Sequence, residues 1–321
     1  MARGKGCRRV DDVDVAILRE LSRERVVVWG TQDPRLSAQA IARRLSLDPT
    51  TVRDRLRAWQ KEGFLLGFTV LPNTSLFGAG MASGALRVPD PRAKAGVLAA
   101  LRRSEGVIGL MDHVGEWIGV GYMDESGEAL QEHAAAVAAL PGVAEATPPF
   151  RVPTLVSTID LTPLDWRMLR ALRAHPREGL AVAAKEAGVS TRTFTRRYER
   201  LVEGRALWSI GLYDFGRCEG RVPVQLILTM EDAEAAASGW AALRKAHPGW
   251  FAGHVVPTPV EGSPLQVADL YFALPRMGDL DRLVADAWEL PGAREVEAYH
   301  PLRFEMFGGW ADERIAEALG S

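Results

Sequence analysis

DVAILREL at residues 14–21 returns in altered form as DWRMLRAL at residues 165–172, and this pair of phrases decides how the chain is read. Each sets apolar residues on a helical period. They are Val13, Ile17, Leu18 and Leu21 in the first and Leu164, Met168, Leu169 and Leu172 in the second, the pattern of one buried helix face. The starts agree too. Asp11 stands three residues before Asp14 and Thr162 three before Asp165, so a side-chain oxygen can cap free N–H groups while an acid occupies the first turn. Pro163 suits a first helical position. Internal repetition is weighed first because a missed repeat misreads the fold.

Working outward, SAQAIARRLSLDPTTVRDRLRAWQKEG (37–63) answers to GLAVAAKEAGVSTRTFTRRYERLVEG (179–204). Each predicts a short helix, a tight turn and a longer helix opened by a cap, Asp48 before Pro49 in one copy and Ser190 in the other. Leu47, Val52, Leu56 and Trp59, matched by Val189, Phe194, Tyr198 and Leu201, form the expected buried face, which makes each segment a helix-turn-helix. The opposite faces carry Thr50, Thr51, Arg53, Asp54, Arg55 and Arg57 in the first copy and Arg192, Thr193, Thr195, Arg196, Arg197 and Arg200 in the second. Arginines neutralise phosphates or fork onto guanine edges, and threonine hydroxyls near a helix start can bond phosphate oxygens. A lone arginine here would read as a solvated face; two basic faces at matched positions point to double-stranded DNA.

Charge distribution agrees. The formal net charge of −2 hides a segment 1–66 with 14 Lys and Arg against 9 Asp and Glu, and a segment 160–208 with 10 against 6, on an acidic remainder. Hydrophobic residues at 47% and charged residues at 25% are ordinary for a globular protein, and no apolar run approaches the roughly 18 residues of a membrane span. No secretory signal is readable, and Cys7 and Cys218 offer neither a disulfide framework nor metal spacing, so a cytoplasmic protein without metal or other cofactor is expected. The six histidines are scattered and read as surface or strand-end residues, and the tryptophans, Trp59, Trp240 and Trp288 among them, read mostly as core. GAGMASG (78–84) lacks dinucleotide-fold spacing and reads as a turn into a strand; neither a GxSxG elbow nor an HExxH helix is present.

After each helix-turn-helix the pattern changes. GMASGALRV (80–88), PRAKAGVLAALRRS (91–104), GVIGLMDHV, EWIGVGYM, ESGEALQEHAAAVAAL and PGVAEATPPFRV give the order βαββαβ, and the stretch from RVPVQLILTM to PGAREVEAYHPL gives it again. LPGV (140–143) and LPGA (290–293) close corresponding helices. The copies differ by an insertion, RVVVWGTQDPRL (25–36), and by a longer hairpin near VEGSPLQ (260–266).

These residues resemble the Lrp/AsnC family of feast/famine transcription regulators. The resemblance is carried by DVAILREL, IARRLSLDPTTVRDRLRAWQKEGFLLGFTV, VGEWIGVGYM and LPGV, then by DWRMLRAL, VSTRTFTRRYERLVEG, VADLYFALP and LPGA. It implies an α+β chain in which two winged helix-turn-helix domains alternate with two ferredoxin-like βαββαβ (RAM-type) domains. The expected division is a basic tail (1–10), a first winged helix-turn-helix (11–70), a first effector and assembly domain (78–155), a second winged helix-turn-helix (160–213), a second effector and assembly domain (220–307) and a C-terminal helix (308–321). It further implies a DNA-binding regulator, not an enzyme, that responds to a small-molecule effector, an amino acid being the family's usual one. Two linked units would act as a covalent pseudo-dimer, with homo-oligomers through the ferredoxin-like domains. The family hairpin motif, glycine followed three residues later by aspartate, survives in part, with Gly115 kept and Ile118 at the aspartate position, Asp269 kept and Gln266 at the glycine position. Gly115, Glu116, Trp117 and Asp269 are therefore the expected effector-binding residues.

A rival reading shares the architecture. Sirohaem decarboxylases resemble Lrp/AsnC proteins and use histidine, tyrosine and arginine on the strand pair of the sheet domain. At those positions this sequence has Gly109, Met111 and His113, and Trp250 leads to Ala252 in the second copy. The reactive set is absent, which leaves macrocycle binding as the alternative use of the scaffold.

Overall fold

The computed structural model describes residues 8–21, 37–153, 156–260 and 263–320, without the side chains of Arg8 and residues 254–257. The insertion 25–36 and Cys7 lie outside them. The first head comprises β1 (Arg8–Arg9), α1 (Asp12–Leu21), α2 (Ala38–Leu45), α3 (Pro49–Glu62) and the outgoing strand β2 (Leu65–Pro72). β3 (Gly80–Arg87), α4 (Pro91–Leu101), β4 (Val107–His113), β5 (Trp117–Asp124), α5 (Gly127–Ala138), β6 (Glu145–Ala146) and β7 (Phe150–Val152) follow. The second head has α6 (Pro163–Ala174), α7 (Leu180–Glu186), α8 (Thr191–Glu203) and β8 (Leu207–Tyr213). After it come β9 (Cys218–Glu219), β10 (Val222–Met230), α9 (Ala233–Ala246), β11 (Phe251–Pro259), β12 (Gln266–Leu274), α10 (Asp279–Trp288), β13 (Ala293–Tyr299), β14 (Pro301–Met306) and α11 (Gly309–Leu319).

Local chemistry sets the helix starts. Asp48 accepts from the Thr50 N–H with Pro49 behind it, Ser190 accepts from Thr193, and Thr162 forms a capping box with Asp165 ahead of Pro163. The turn after α3 needs a left-handed residue. Gly63 supplies it at φ 78°, while Arg205, at φ 56°, stands at the matching place after α8.

Each head closes its own core. Ile17, Leu18, Leu21, Ile41, Val52, Leu56, Trp59 and Phe64 pack together in the first; Met168, Leu169, Leu172, Ala183, Ala184, Phe194 and Leu201 do so in the second. Leu47, Val189 and Tyr198 are only partly buried. β2 and β8 then pair antiparallel, with Phe68 opposite Gly211 and Thr69 opposite Ile210. A strand pairing with its own repeat counterpart is what a twofold relation between copies requires.

Both sheet units have the ferredoxin-like order expected from βαββαβ, β11-β12-β10-β13 in the second and β4-β5-β3-β6 in the first. Two departures are physical. The final strand of the first unit, expected to be continuous, breaks into β6 and β7 around Pro148 and Pro149, which lack ladder N–H donors. The stretch PLRFEM, read as the end of the second sheet unit, instead forms β14 and pairs with the β4 edge of the first sheet, Phe304 opposite Met111. The chain turns at His300 and Pro301 to make this crossing.

α11 follows β14 and packs on α6. Arg173 joins them, bonding Asp312, the Gly308 carbonyl and the Val70 carbonyl at 2.7–2.9 Å. The first head meets the second sheet directly through α1 against β11, and β1 pairs with β9 in a separate two-stranded ladder. Met81, Ile108, Met111 and Met123 of the first sheet share a core with Trp208 of β8 and Phe304 of β14. Among the described residues no helix is long and apolar enough to cross a membrane.

Candidate nucleic-acid interface and inter-sheet cavity

α3 buries Val52, Leu56 and Trp59, which turns Thr50, Thr51, Arg53, Asp54 and Arg57 to solvent. α8 buries Phe194 and Leu201, which leaves Arg192 and Arg196 exposed and Thr193 and Thr195 half-buried. Arg55, Arg197 and Arg200, read from the sequence as part of the outward faces, turn inward. Arg55 Nη1 lies 2.7 Å from Asp11 and 2.8 Å from Asp14, whose fully buried carboxylate also accepts from Trp59 Nε1 at 3.1 Å. Arg197 and Arg200 clamp the fully buried Asp165 at 3.0 and 2.6 Å. In both heads the carboxylate in the first turn of the first helix is thus tied to the recognition helix. Burial pushes the Asp165 carboxyl up, but bonds from Thr162 and Arg197 and the charge of Arg200 outweigh it, and the group sits below the usual range. Burial pushes the Asp11 carboxyl up as well, but the bond and charge of Arg55 together with backbone N–H bonds outweigh it, and the group is lowered.

The arginines left facing solvent are Arg53 and Arg57 in one head and Arg192 and Arg196 in the other. Arg53, Arg192 and Arg196 have no ion-pair partner among the described residues, and Arg57 has only Asp54 at 3.8 Å. Superposing the repeats on Val52 and Phe194 puts Thr50 against Arg192, Thr51 against Thr193, Arg53 against Thr195, Asp54 against Arg196 and Arg57 against Glu199. Each of these two helices presents two exposed arginines, at different places.

Between the sheets lies a cavity of about 300 Å³, walled by Met111, Trp117, Phe150, Ile227 and Val267 and marked with polar groups from His113, Gln225, Asp269 and Tyr299. His113 Nε2 meets Gln225 Oε1 at 2.5 Å, and Gln225 Nε2 donates to Asp269 at 2.9 Å. Burial pushes the Asp269 carboxyl up to about 7, against the pull of Gln225 and Tyr271. Burial likewise holds the His113 imidazole below its ordinary value.

Of the four residues expected to bind an effector, the cavity brings together Trp117 and Asp269 and leaves out Gly115 and Glu116. Gly115 turns the hairpin at φ 86°, its carbonyl accepting from Lys94, and Glu116 pairs with Arg87. His113, Gln225, Tyr271 and Tyr299 were missed. His113 ends β4, as a strand-end residue, and is buried; His247, at the end of α9, is buried as well, stacks on Trp250 and bonds Asp286. Trp288, expected in the core, is half exposed, whereas Trp59 is fully buried. Alternation along β4 and β10 could have placed His113 and Gln225 on the inner sheet faces.

Residues 10–65 match the family model of the winged helix-turn-helix DNA-binding domain. No curated protein matches the chain. Among solved structures, the siroheme decarboxylase NirDL in co-complex with an iron-uroporphyrin III analogue has a similar fold over 96% of this chain and 98% of its own, at a TM-score of 0.50 and 13% identity. Escherichia coli AsnC is 17% identical and aligns with 48% of this chain and 98% of its own at a TM-score of 0.31. The leucine response regulatory protein of Mycobacterium tuberculosis is 20% identical over 46% of this chain and 94% of its own, at 0.32. The first head is a winged helix-turn-helix DNA-binding domain, and the similarity to NirDL extends over both repeats.

Proposed function

We propose that the chain is a sequence-specific transcription regulator that binds double-stranded DNA through both heads and adjusts its affinity when a small molecule enters the inter-sheet cavity. The observation that carries this reading is the pair of recognition helices, each capped at its start and each with two arginines left facing solvent. Thr50, Thr51, Arg53 and Arg57 act in the first head, and Arg192, Thr193, Thr195 and Arg196 in the second. Arg55, Arg197 and Arg200 hold the helices in place instead.

One chain supplies two heads related through the β2–β8 ladder, so it works as a covalent pseudo-dimer. Linkage raises the effective concentration of the second head once the first has docked. Because the two outward faces differ at matched positions, the operator has unequal half-sites. The cavity adjoins both sheets, and the sheets adjoin the heads through α1–β11 and α11–α6. A ligand that favours one sheet spacing therefore favours one head spacing.

Fluorescence anisotropy of the full chain on the DNA upstream of its own gene, across a salt series and against random DNA of equal length, tests the reading. Tighter, salt-dependent binding to the upstream fragment is expected; equal binding to both fragments contradicts it.

The whole-length similarity to NirDL favours a second reading, a macrocycle-binding protein on the same scaffold. The cavity lining argues against it. Carboxylate-bearing macrocycles ask for cations, and the described lining residues include Asp269 and Glu297 but no lysine or arginine. An absorption spectrum of the protein mixed with an iron porphyrin separates the two readings.

A further inference from the structure

Asp269 lies in the cavity lining, and both of its donors, Gln225 Nε2 at 2.9 Å and Tyr271 Oη at 3.1 Å, go to the same oxygen, Oδ2. Oδ1 is buried and has no hydrogen-bond partner. An unmet acceptor shielded from water costs free energy that a suitable donor would recover.

The neighbouring bonds have a fixed direction. An ionised carboxylate only accepts, so Gln225 presents its NH₂ group to Asp269 and its oxygen to His113. His113 must then donate from Nε2. With burial lowering its proton affinity, the ring is neutral at neutral pH and supplies no positive charge. Lys94 is already engaged. Its Nζ bonds the carbonyls of His113 and Gly115 and lies 2.8 Å from Asp112.

The mouth has the same character. Tyr299 donates to the exposed Glu297 at 2.7 Å, and its ring lies 5.3 Å from His113 and 6.5 Å from Trp117. Aromatic faces beside carboxylates attract cations. A ligand carboxylate entering here would meet two acids and no counter-charge from the described lining.

We infer that the inter-sheet cavity binds a compact amine, an apolar or aromatic body whose protonated nitrogen fills the unmet side of Asp269 beside Trp117 and Tyr299, and that it rejects carboxylates, free amino acids included. This rests on reading the cavity as the effector site. A volume near 300 Å³ falls at the small end of ligand pockets and suits a single ring system. Ionised Asp269 is favoured once a cation replaces the water lost on burial, so the carboxyl that burial raises to about 7 returns toward its ordinary range when the amine is bound.

The test uses three probes with one shared body, 2-phenylethylamine, phenylalanine and 3-phenylpropionate, titrated calorimetrically into the full chain. The amine is expected to bind at least about tenfold more tightly than either carboxylate. Asp269→Asn is expected to abolish that preference, with circular dichroism showing that the variant folds. Equal or tighter binding of phenylalanine or 3-phenylpropionate, or no binding by any of the three, overturns the amine class, and this comparison needs no variant. Repeating the DNA anisotropy with and without the amine keeps the two claims apart. Amine binding with unchanged DNA affinity removes the effector role and leaves the ligand class standing, whereas a DNA response to phenylalanine alone does the reverse.

Discussion

The two heads solve one mechanical problem with different residues. In the first, Asp14 is held by Arg55 and by the Trp59 indole, with Asp11 sharing the same guanidinium. In the second, Asp165 takes two arginines, Arg197 and Arg200, and a threonine cap, and the tryptophan's place is filled by Leu201. The lesson concerns how basic helices are read. Counting cations on such a helix overstates what faces solvent unpaired, because one arginine in the first head and two in the second are held by buried carboxylates. What remains outside differs between heads, with threonine against arginine, arginine against threonine and aspartate against arginine at matched positions. The inward face of the repeat keeps its function while the outward face changes its text.

Breaking the inward face should give the largest effect. Asp165→Ala removes a buried carboxylate that accepts from two guanidiniums and closes a capping box, and is expected to destabilise the second head by about 2–4 kcal/mol in chemical denaturation. A loss below about 0.5 kcal/mol would show that the clamp is ornamental. The outward face should respond in binding alone. Arg53→Ala and Arg196→Ala are each expected to weaken operator binding by about 1–3 kcal/mol at unchanged Tm. Arg55→Ala is expected to lower Tm first. If Arg55→Ala weakened DNA binding while leaving Tm untouched, it would belong to the reading face after all.

The cavity sharpens the contrast between a charge held for stability and one held for a ligand. Asp269 has its folded-state pKa raised from 3.8 to about 7, so its contribution is most favourable below pH 4 and is lost as the pH rises toward 7. Asp269→Asn should therefore stabilise the unliganded chain at pH 8, by about 1–3 kcal/mol, with the gap closing near pH 4. A destabilised variant at pH 8 would mean that the ionised group is already satisfied. Asp165 has the opposite sign. Its lowered pKa contributes stability above the ordinary carboxylate range, lost as the pH falls through the depressed folded-state value. The smallest of these effects is a loss of second-head stability confined to strongly acid solution, visible as a Tm that falls more steeply below about pH 4 in the wild type than in Asp165→Asn.

Much of the fold was legible because periodicity and caps are local. Ile17, Leu21, Met168 and Leu172 announce their helices, and Asp48, Thr162 and Ser190 mark starts that the structure keeps. What was not legible depends on which faces meet. PLRFEM reads as a continuation of the strand before it, and only the β4 edge explains why it crosses to the other sheet. C-terminal GWADERIAEALGS likewise reads as a solitary amphipathic helix until Arg173 ties it to α6. The inward ion pairs of Arg55, Arg197 and Arg200 were hidden for the same reason. Arg53 and Arg55 are two residues apart, and the largely covered position of Arg55 against Asp14, its side chain 22% exposed, is a tertiary fact. Half of the expected effector set, Trp117 and Asp269, reached the cavity because the hairpins carry them to the inner faces; Glu116 points to Arg87 instead.

The measurement that tests the central claim most directly is hydroxyl-radical footprinting of the full chain on the DNA upstream of its own gene, repeated with Arg53→Ala and with Arg196→Ala. The account predicts two protected patches of unlike sequence on one face of the duplex, each variant losing protection at a different patch. A single patch, or the same patch lost in both variants, would contradict a chain that reads DNA with two unequal heads.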